Sequence, residues 1–247
     1  MKMTVSQHLE EFRTRLIRCI IFVLMSAILA FYFSDEILYI LKLPSKGLIE
    51  NFLILKPAES ITIYLKTALF SGLIFASPLI FWEIFSFIKP AVGAKDISIL
   101  KWAAIAFLLF VCGGAFVYWT VLSKAIAFLT FLSKGLTDSA IQITLSSYIS
   151  FTMALLLCGA GIFQIPLAAF ILTKIGLITP KMLISKRKEA YFALIIAAAV
   201  ITPTTDVFSL ALFVVPMIIL YEVGVIFSKT VHKKNMFKGE KAYEEQC

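Results

Sequence analysis

Two carboxylates stand where this chain otherwise places lysine and arginine. Glu11 and Asp96 fall in short segments that flank long apolar runs, on the side of the chain that carries most of the basic residues, so either could receive a cationic ligand. Each also has a purely structural alternative. Glu11 precedes Arg15 by one helical turn, the spacing of an ion pair that contributes a few tenths of a kcal/mol. Asp96 lies just ahead of an apolar run, where an aspartate caps a helix and complements its dipole. Polar groups inside the runs cost more and need partners. Gln164 either bonds across to a neighbouring helix, at roughly 1 kcal/mol, or lines a polar pocket facing a partner's helix. Lys66 and Glu83 lie toward opposite ends of one run, where both can snorkel to water. Glu222 sits deeper in another.

Catalytic chemistry finds little support. Glu10-Glu11-Phe-Arg-Thr-Arg15 matches the EExxxR pattern of intramembrane prenyl-type proteases, but such enzymes need histidines on later helices. Here the only histidines are His8 and His232, neither inside a run, and no GxSG element offers a serine nucleophile. Cys19, Cys112 and Cys158 lie in apolar runs and Cys247 is remote from them, without CxxC or Cys/His ligand spacing. No metal, disulfide framework or cofactor is expected, and no enzymatic activity. The formal charge of +8 is no sign of nucleic acid, because the basic residues cluster beside apolar runs, where they orient a chain in a membrane and meet anionic lipid.

The elements that must position these residues are six apolar runs, at roughly 19–33, 63–88, 99–123, 148–173, 190–201 and 207–227. With 60% hydrophobic residues and a mean hydropathy of +0.95, the 247 residues exceed what a soluble domain can bury. The expectation is an all-α polytopic membrane protein of one six-helix domain, 1–247. Seventeen of the 23 lysines and arginines fall on one side of the implied topology, at the start, around Lys89–Lys101, from Lys174 to Lys188 and from Lys229 to Lys241. The positive-inside rule therefore puts both termini in the cytoplasm. Residues 1–18 form an amphipathic start, with Leu9, Phe12 and Leu16 at helical spacing, and 229–247 a basic tail. Acidic Asp35 and Glu36 follow the first run instead of a cleavage site, so it is read as a retained helix.

Three features mark the interior of this scaffold. The thirty or so residues between the first two runs, with Pro44, Gly47 and Pro57, suit a partly helical cap on the outer face. Pro78 should kink the second run, and Gln164 with Pro166 the fourth. The fifth run is about a dozen residues against the roughly twenty a bilayer requires, and it turns back through Thr202-Pro-Thr-Thr-Asp206. A small-solute secondary transporter, with Lys66, Glu83 and Gln164 lining its path, is the alternative reading, but no internal repeat supports it.

Four ordered motifs resemble the TatC family of the twin-arginine (Tat) protein translocase. His8-Leu-Glu-Glu-Phe-Arg-Thr-Arg-Leu16 is similar to its amino-terminal HLxELRxRL. Phe87-Ile-Lys-Pro-Ala-Val-Gly-Ala-Lys-Asp96 resembles its first cytoplasmic loop, usually FxxPGLxxxE. Phe163-Gln-Ile-Pro166 falls where its fourth helix carries an F-E-x-P-like element, and Thr202–Ser209 with Pro216 and Glu222 resembles its last hairpin. The resemblance implies a glove-shaped concave scaffold in the cytoplasmic (inner) membrane, with short fifth and sixth helices. It implies a receptor for paired-arginine signal peptides of folded proteins, working in an oligomeric complex with single-span TatA- and TatB-type subunits, without ATP. Glu11 and Asp96 fall on the family positions that recognise the arginines, with Arg13, Phe87 and Pro90 on supporting positions. Pro44, Glu59, Asp206 and Glu222 match structural or assembly positions. Asp96 and Gln164 replace the family's usual glutamates, Phe12 replaces leucine, and Ala91-Val92 interrupts the PGL tripeptide.

Overall fold

The computed structural model describes residues 5–49, 52–92, 99–134, 143–201 and 207–244. Asp96 and Asp206 lie outside them. Helices α1 (Val5–Tyr32), α2 (Ser34–Lys42), α3 (Pro57–Val92), α4 (Ile99–Phe116), α5 (Ser123–Lys134), α6 (Leu145–Ile162), α7 (Ile165–Lys174), α8 (Pro180–Ser185), α9 (Arg187–Ile201) and α10 (Val207–Glu244) make up nearly all of it. Strands β1 (Phe52–Leu53) and β2 (Ile143–Thr144) form one short parallel pair.

Among the described residues five stretches are long and apolar enough to cross a membrane: Gln7–Tyr32, Pro57–Lys89, Ile99–Phe131, Leu145–Lys174 and Leu210–Thr230. In hydrocarbon a helix is the form that satisfies its own backbone, and these windows hold too few charges to favour water. α9, the fifth expected span, has 15 residues. At 1.5 Å per residue it rises about 22 Å, short of the roughly 30 Å of an ordinary hydrocarbon core. The last helix departs from expectation. It is not short: α10 runs for 38 residues, 21 of them in the apolar window, because the basic tail continues the helix to Glu244. The amphipathic start leads directly into the first span, since α1 passes unbroken from Val5 to Tyr32.

The chain groups into two compact units, Met1–Leu108 with Tyr118–Leu156, and Leu109–Val117 with Leu157–Cys247. In the first, α1 and α3 pack along their lengths through small residues. Ala27 and Ala30 are buried while Ile28 and Leu29 are 69% exposed, the inside-out pattern of helices in lipid. At Gly72 a Cβ would lie 2.6 Å from the Ala27 backbone nitrogen, so only glycine permits this approach. Pro78 does not end α3. Its missing N–H would leave the Ile74 carbonyl without a helical donor, and the Ser77 hydroxyl supplies one at 2.6 Å.

The expected cap is helical, formed by α2 and a tight 3-10 turn over Leu43–Ser45 that Pro44 helps to impose by barring further α-helix. Its terminal carbonyls gain distant donors, with Tyr118 donating to the Ile40 oxygen and buried Tyr148 to that of Leu41, each at 2.7 Å. Glu59 occupies the third position of α3, where one carboxylate oxygen accepts from the Leu55 and Lys56 backbone N–H groups at 2.9 and 3.4 Å. Its other oxygen accepts from the Ser146 N–H, 3.3 Å away at the start of α6. One side chain thus caps two helices.

In the second unit the sequence Phe163-Gln-Ile-Pro166 does break its helix, separating α6 from α7. α7 ends on Gly176, whose φ of +78° suits glycine, with the Leu177 N–H returning to the Leu172 carbonyl at 3.0 Å. α10 packs on α7 at Gly224, where a Cβ would meet Ala169 and Pro166 at 3.2 and 3.3 Å. A buried Thr173–Ser228 hydroxyl pair at 2.6 Å ties the same two helices.

Candidate functional site

His8, Glu11, Phe12, Arg15 and Arg18 recur at three- and four-residue steps, so α1 presents them on one face. The end of α3 brings Glu83 and Phe87, one turn apart, against that face. Glu83 is only 8% exposed, and an apolar helix can retain a buried carboxylate only with a cationic partner. Arg15 provides it: one terminal guanidinium nitrogen reaches Glu83 Oε2 at 2.5 Å, and Arg18 stands 3.5 Å from Oε1. The rest of the Arg15 fork goes to Glu11. Its Nε and second terminal nitrogen both donate to Glu11 Oε1, at 3.0 and 2.7 Å.

Glu11 Oε2 is buried and accepts no hydrogen bond from the described residues. His8 Nδ1 stands 3.9 Å from it, beyond hydrogen-bonding range. The aromatic border of the cluster is tight: the His8 ring stacks on Phe87 with centroids 4.4 Å apart, and Phe12 tilts onto the same ring at 5.8 Å. Leaving a buried charged acceptor unmet costs about 1–3 kcal/mol or more. The arrangement therefore suits a cationic donor arriving beside an aromatic wall.

The expected helical pair of Glu11 with Arg15 is present, and it occupies one carboxylate oxygen out of two. Phe87 joins Glu11 through His8, whereas Arg13 is exposed and Pro90 lies in the last turn of α3. Glu83 is the residue that sequence reasoning misplaced. Assigned to water, it is instead buried against two arginines of α1. The available signal was that a carboxylate inside an apolar run requires a cation, and α1 offers Arg15 and Arg18 one turn apart. Lys66 does reach the surface, donating to Ser150 Oγ at 2.9 Å.

The second unit holds a different cluster. Glu222 on α10 accepts from Arg187 at 2.6 Å through one oxygen and from the Tyr191 hydroxyl at 2.5 Å through the other. The neighbouring Tyr221 donates to the Leu183 carbonyl at 2.8 Å, so α8, α9 and α10 are bound together. Gln164 is half-buried at the α6–α7 junction, at the position preceding α7.

Residues 7–216 match the family model described as Sec-independent protein translocase protein (TatC). The chain belongs to the TatC family. TatC proteins of Carboxydothermus hydrogenoformans and Aquifex aeolicus are each 35% identical to it. The first aligns over 97% of this chain and 98% of its own length, the second over 94% and 97%. A crystal structure of the twin arginine translocase receptor TatC superposes with a TM-score of 0.82 at 32% identity, covering 91% of this chain and 99% of the other. Membership in the TatC family makes this multi-pass membrane protein a component of the Sec-independent, twin-arginine translocase and not an enzyme.

Proposed function

We propose that this TatC chain is the receptor component that binds paired-arginine signal peptides on the cytoplasmic side, with Glu11 as a contact carboxylate. The observation that carries the reading is the buried, unmet Glu11 Oε2 beside the His8–Phe87 stack. A guanidinium can donate one charge-assisted bond to Glu11 Oε2 and still present further N–H groups of its planar fork to a second acceptor, which the point charge of lysine does in no fixed geometry. Asp96 is proposed as the second carboxylate, with Arg13 and Pro90 supporting the site. Both termini are proposed to face the cytoplasm of the cell's inner membrane, consistent with the 17 basic residues on that side.

Export would follow from assembly with single-span TatA- and TatB-type subunits and further copies of this chain. Gln164, Asp206 and Glu222 are the proposed intramembrane polar positions in that assembly, with Pro44 and Glu59 shaping the outer face. Gln164→Leu should weaken crosslinking to the single-span partners while signal-peptide binding persists. The deciding experiment titrates the purified full chain with a fluorescent apolar peptide bearing Arg-Arg or Lys-Lys. The Arg-Arg peptide should bind more tightly, Glu11→Ala and Asp96→Ala should each weaken it, and Asp96→Glu should bind at least as well as the parent. Equal affinity for the two peptides would remove the receptor assignment.

A further inference from the structure

An arginine facing a single carboxylate frequently closes on both oxygens, fork against fork. Arg15 does not do this. Both of the nitrogens it turns to Glu11 converge on Oε1, while its remaining terminal nitrogen is held 2.5 Å from Glu83 Oε2 across the helix pair. Glu11 Oε2 is left buried and unmet. Charge points the same way. Arg15 alone would neutralise Glu11, but divided between two carboxylates it leaves one negative charge in excess. Arg18 offsets that excess weakly, since it lies 3.5 Å from Glu83 Oε1 and its side chain is 56% exposed, where solvent screens it.

We propose that Glu83 is a positioning residue for Glu11: by holding one end of the Arg15 guanidinium, it keeps Arg15 from capping Glu11 and keeps Oε2 open for an incoming guanidinium. The proposal rests on the reading of Glu11 as a receptor carboxylate. Removing the charge at Glu83 should let the resident arginine close on Glu11 and compete with the ligand's own. The site would then be self-blocked, although Glu83 itself need not touch the peptide.

The test is a titration of the full chain in detergent or nanodiscs with a fluorescent Arg-Arg signal peptide, with thermal denaturation of each variant alongside. Glu83→Gln should lose about tenfold in affinity and show a weaker salt dependence. Glu83→Asp, which keeps the charge, should recover much of the loss. The discriminating variant adds Arg15→Gln to Glu83→Gln. Removing the blocking cation should restore part of the binding even though the helix pair is further weakened, whereas a purely structural ion pair predicts a still poorer binder. Parent-like affinity in Glu83→Gln, or no recovery on adding Arg15→Gln, overturns the proposal while leaving the receptor reading intact. Parent-like affinity in Glu11→Gln overturns both. Should Glu83→Gln yield no folded protein, Arg15→Gln replaces it, because it removes the competing cation while Arg18 still faces Glu83. Affinity at or above the parent value supports the proposal, and a loss in the folded variant overturns it.

Discussion

Each compact unit ties helices together with an arginine and glutamate, but the two locks are built in opposite senses. In the first, one arginine is divided between two carboxylates, and a buried carboxylate oxygen of Glu11 remains unmet. In the second, one carboxylate is divided between Arg187 and Tyr191, and both oxygens of Glu222 are occupied. The unmet atom there is Arg187 Nε, a donor. A buried oxygen with no donor attracts a cation more strongly than a carboxylate that already has a donor on each oxygen. The same residue pair therefore leaves an open acceptor in one place and makes a staple in the other. Helix spacing follows a similar contrast. Gly72 would place a Cβ 2.6 Å from backbone that cannot yield, while at Gly224 the nearest atom would stand at 3.2 Å.

The strongest way to break the comparison is to overpack the tighter crossing. Gly72→Leu should destabilise the protein toward the upper end of about 1–3 kcal/mol, or prevent folding, while Gly224→Ala should cost less than about 1 kcal/mol. Thermal denaturation in detergent reads both, and equal losses would mean that the first helix pair can separate freely. Next comes the division of roles between the acids. Glu11→Ala should weaken Arg-Arg peptide binding by about tenfold to a hundredfold, as expected for one charge-assisted hydrogen bond, with little change in melting temperature. Glu222→Gln should do the reverse, lowering stability by about 1 kcal/mol while peptide affinity stays at the parent value. A loss of peptide affinity in Glu222→Gln would erase the distinction drawn between the two locks.

Two smaller effects sharpen it. Glu59→Gln should loosen the starts of α3 and α6 together, because its carboxylate serves both, by about 0.5–2 kcal/mol. Hydrogen exchange at Lys56 and Ser146 reports this, and faster exchange at only one would show that the shared cap is not cooperative. Thr173→Val should cost about 0.6 kcal/mol, the typical value of one hydroxyl bond between membrane helices. Denaturation carried out in a Ser228→Ala background should show a smaller loss, since only the Thr173 bond to the Ala169 carbonyl then remains to be removed.

Features governed by neighbours along the chain were readable from residue order. Apolar runs must become helices in hydrocarbon, the fifth is too short for an ordinary bilayer, Pro166 breaks its helix, and Glu11 finds Arg15 one turn away. Pro78 tests the limit of such reasoning. Its missing donor was foreseeable, but not that Ser77 would satisfy the orphaned carbonyl and let α3 continue. The long-range choices belong to tertiary packing. Glu83 stands 68 residues from Arg15, Glu59 stands 87 from Ser146 and Tyr148 stands 107 from Leu41. No local spacing encodes such partners, since which faces meet depends on where glycine and alanine let two helices approach. Residue order therefore determined that Glu11 would pair with Arg15. Only the docking of α3 on α1 decided that Arg15 would be shared with Glu83, and so that one oxygen of Glu11 would be left for something else.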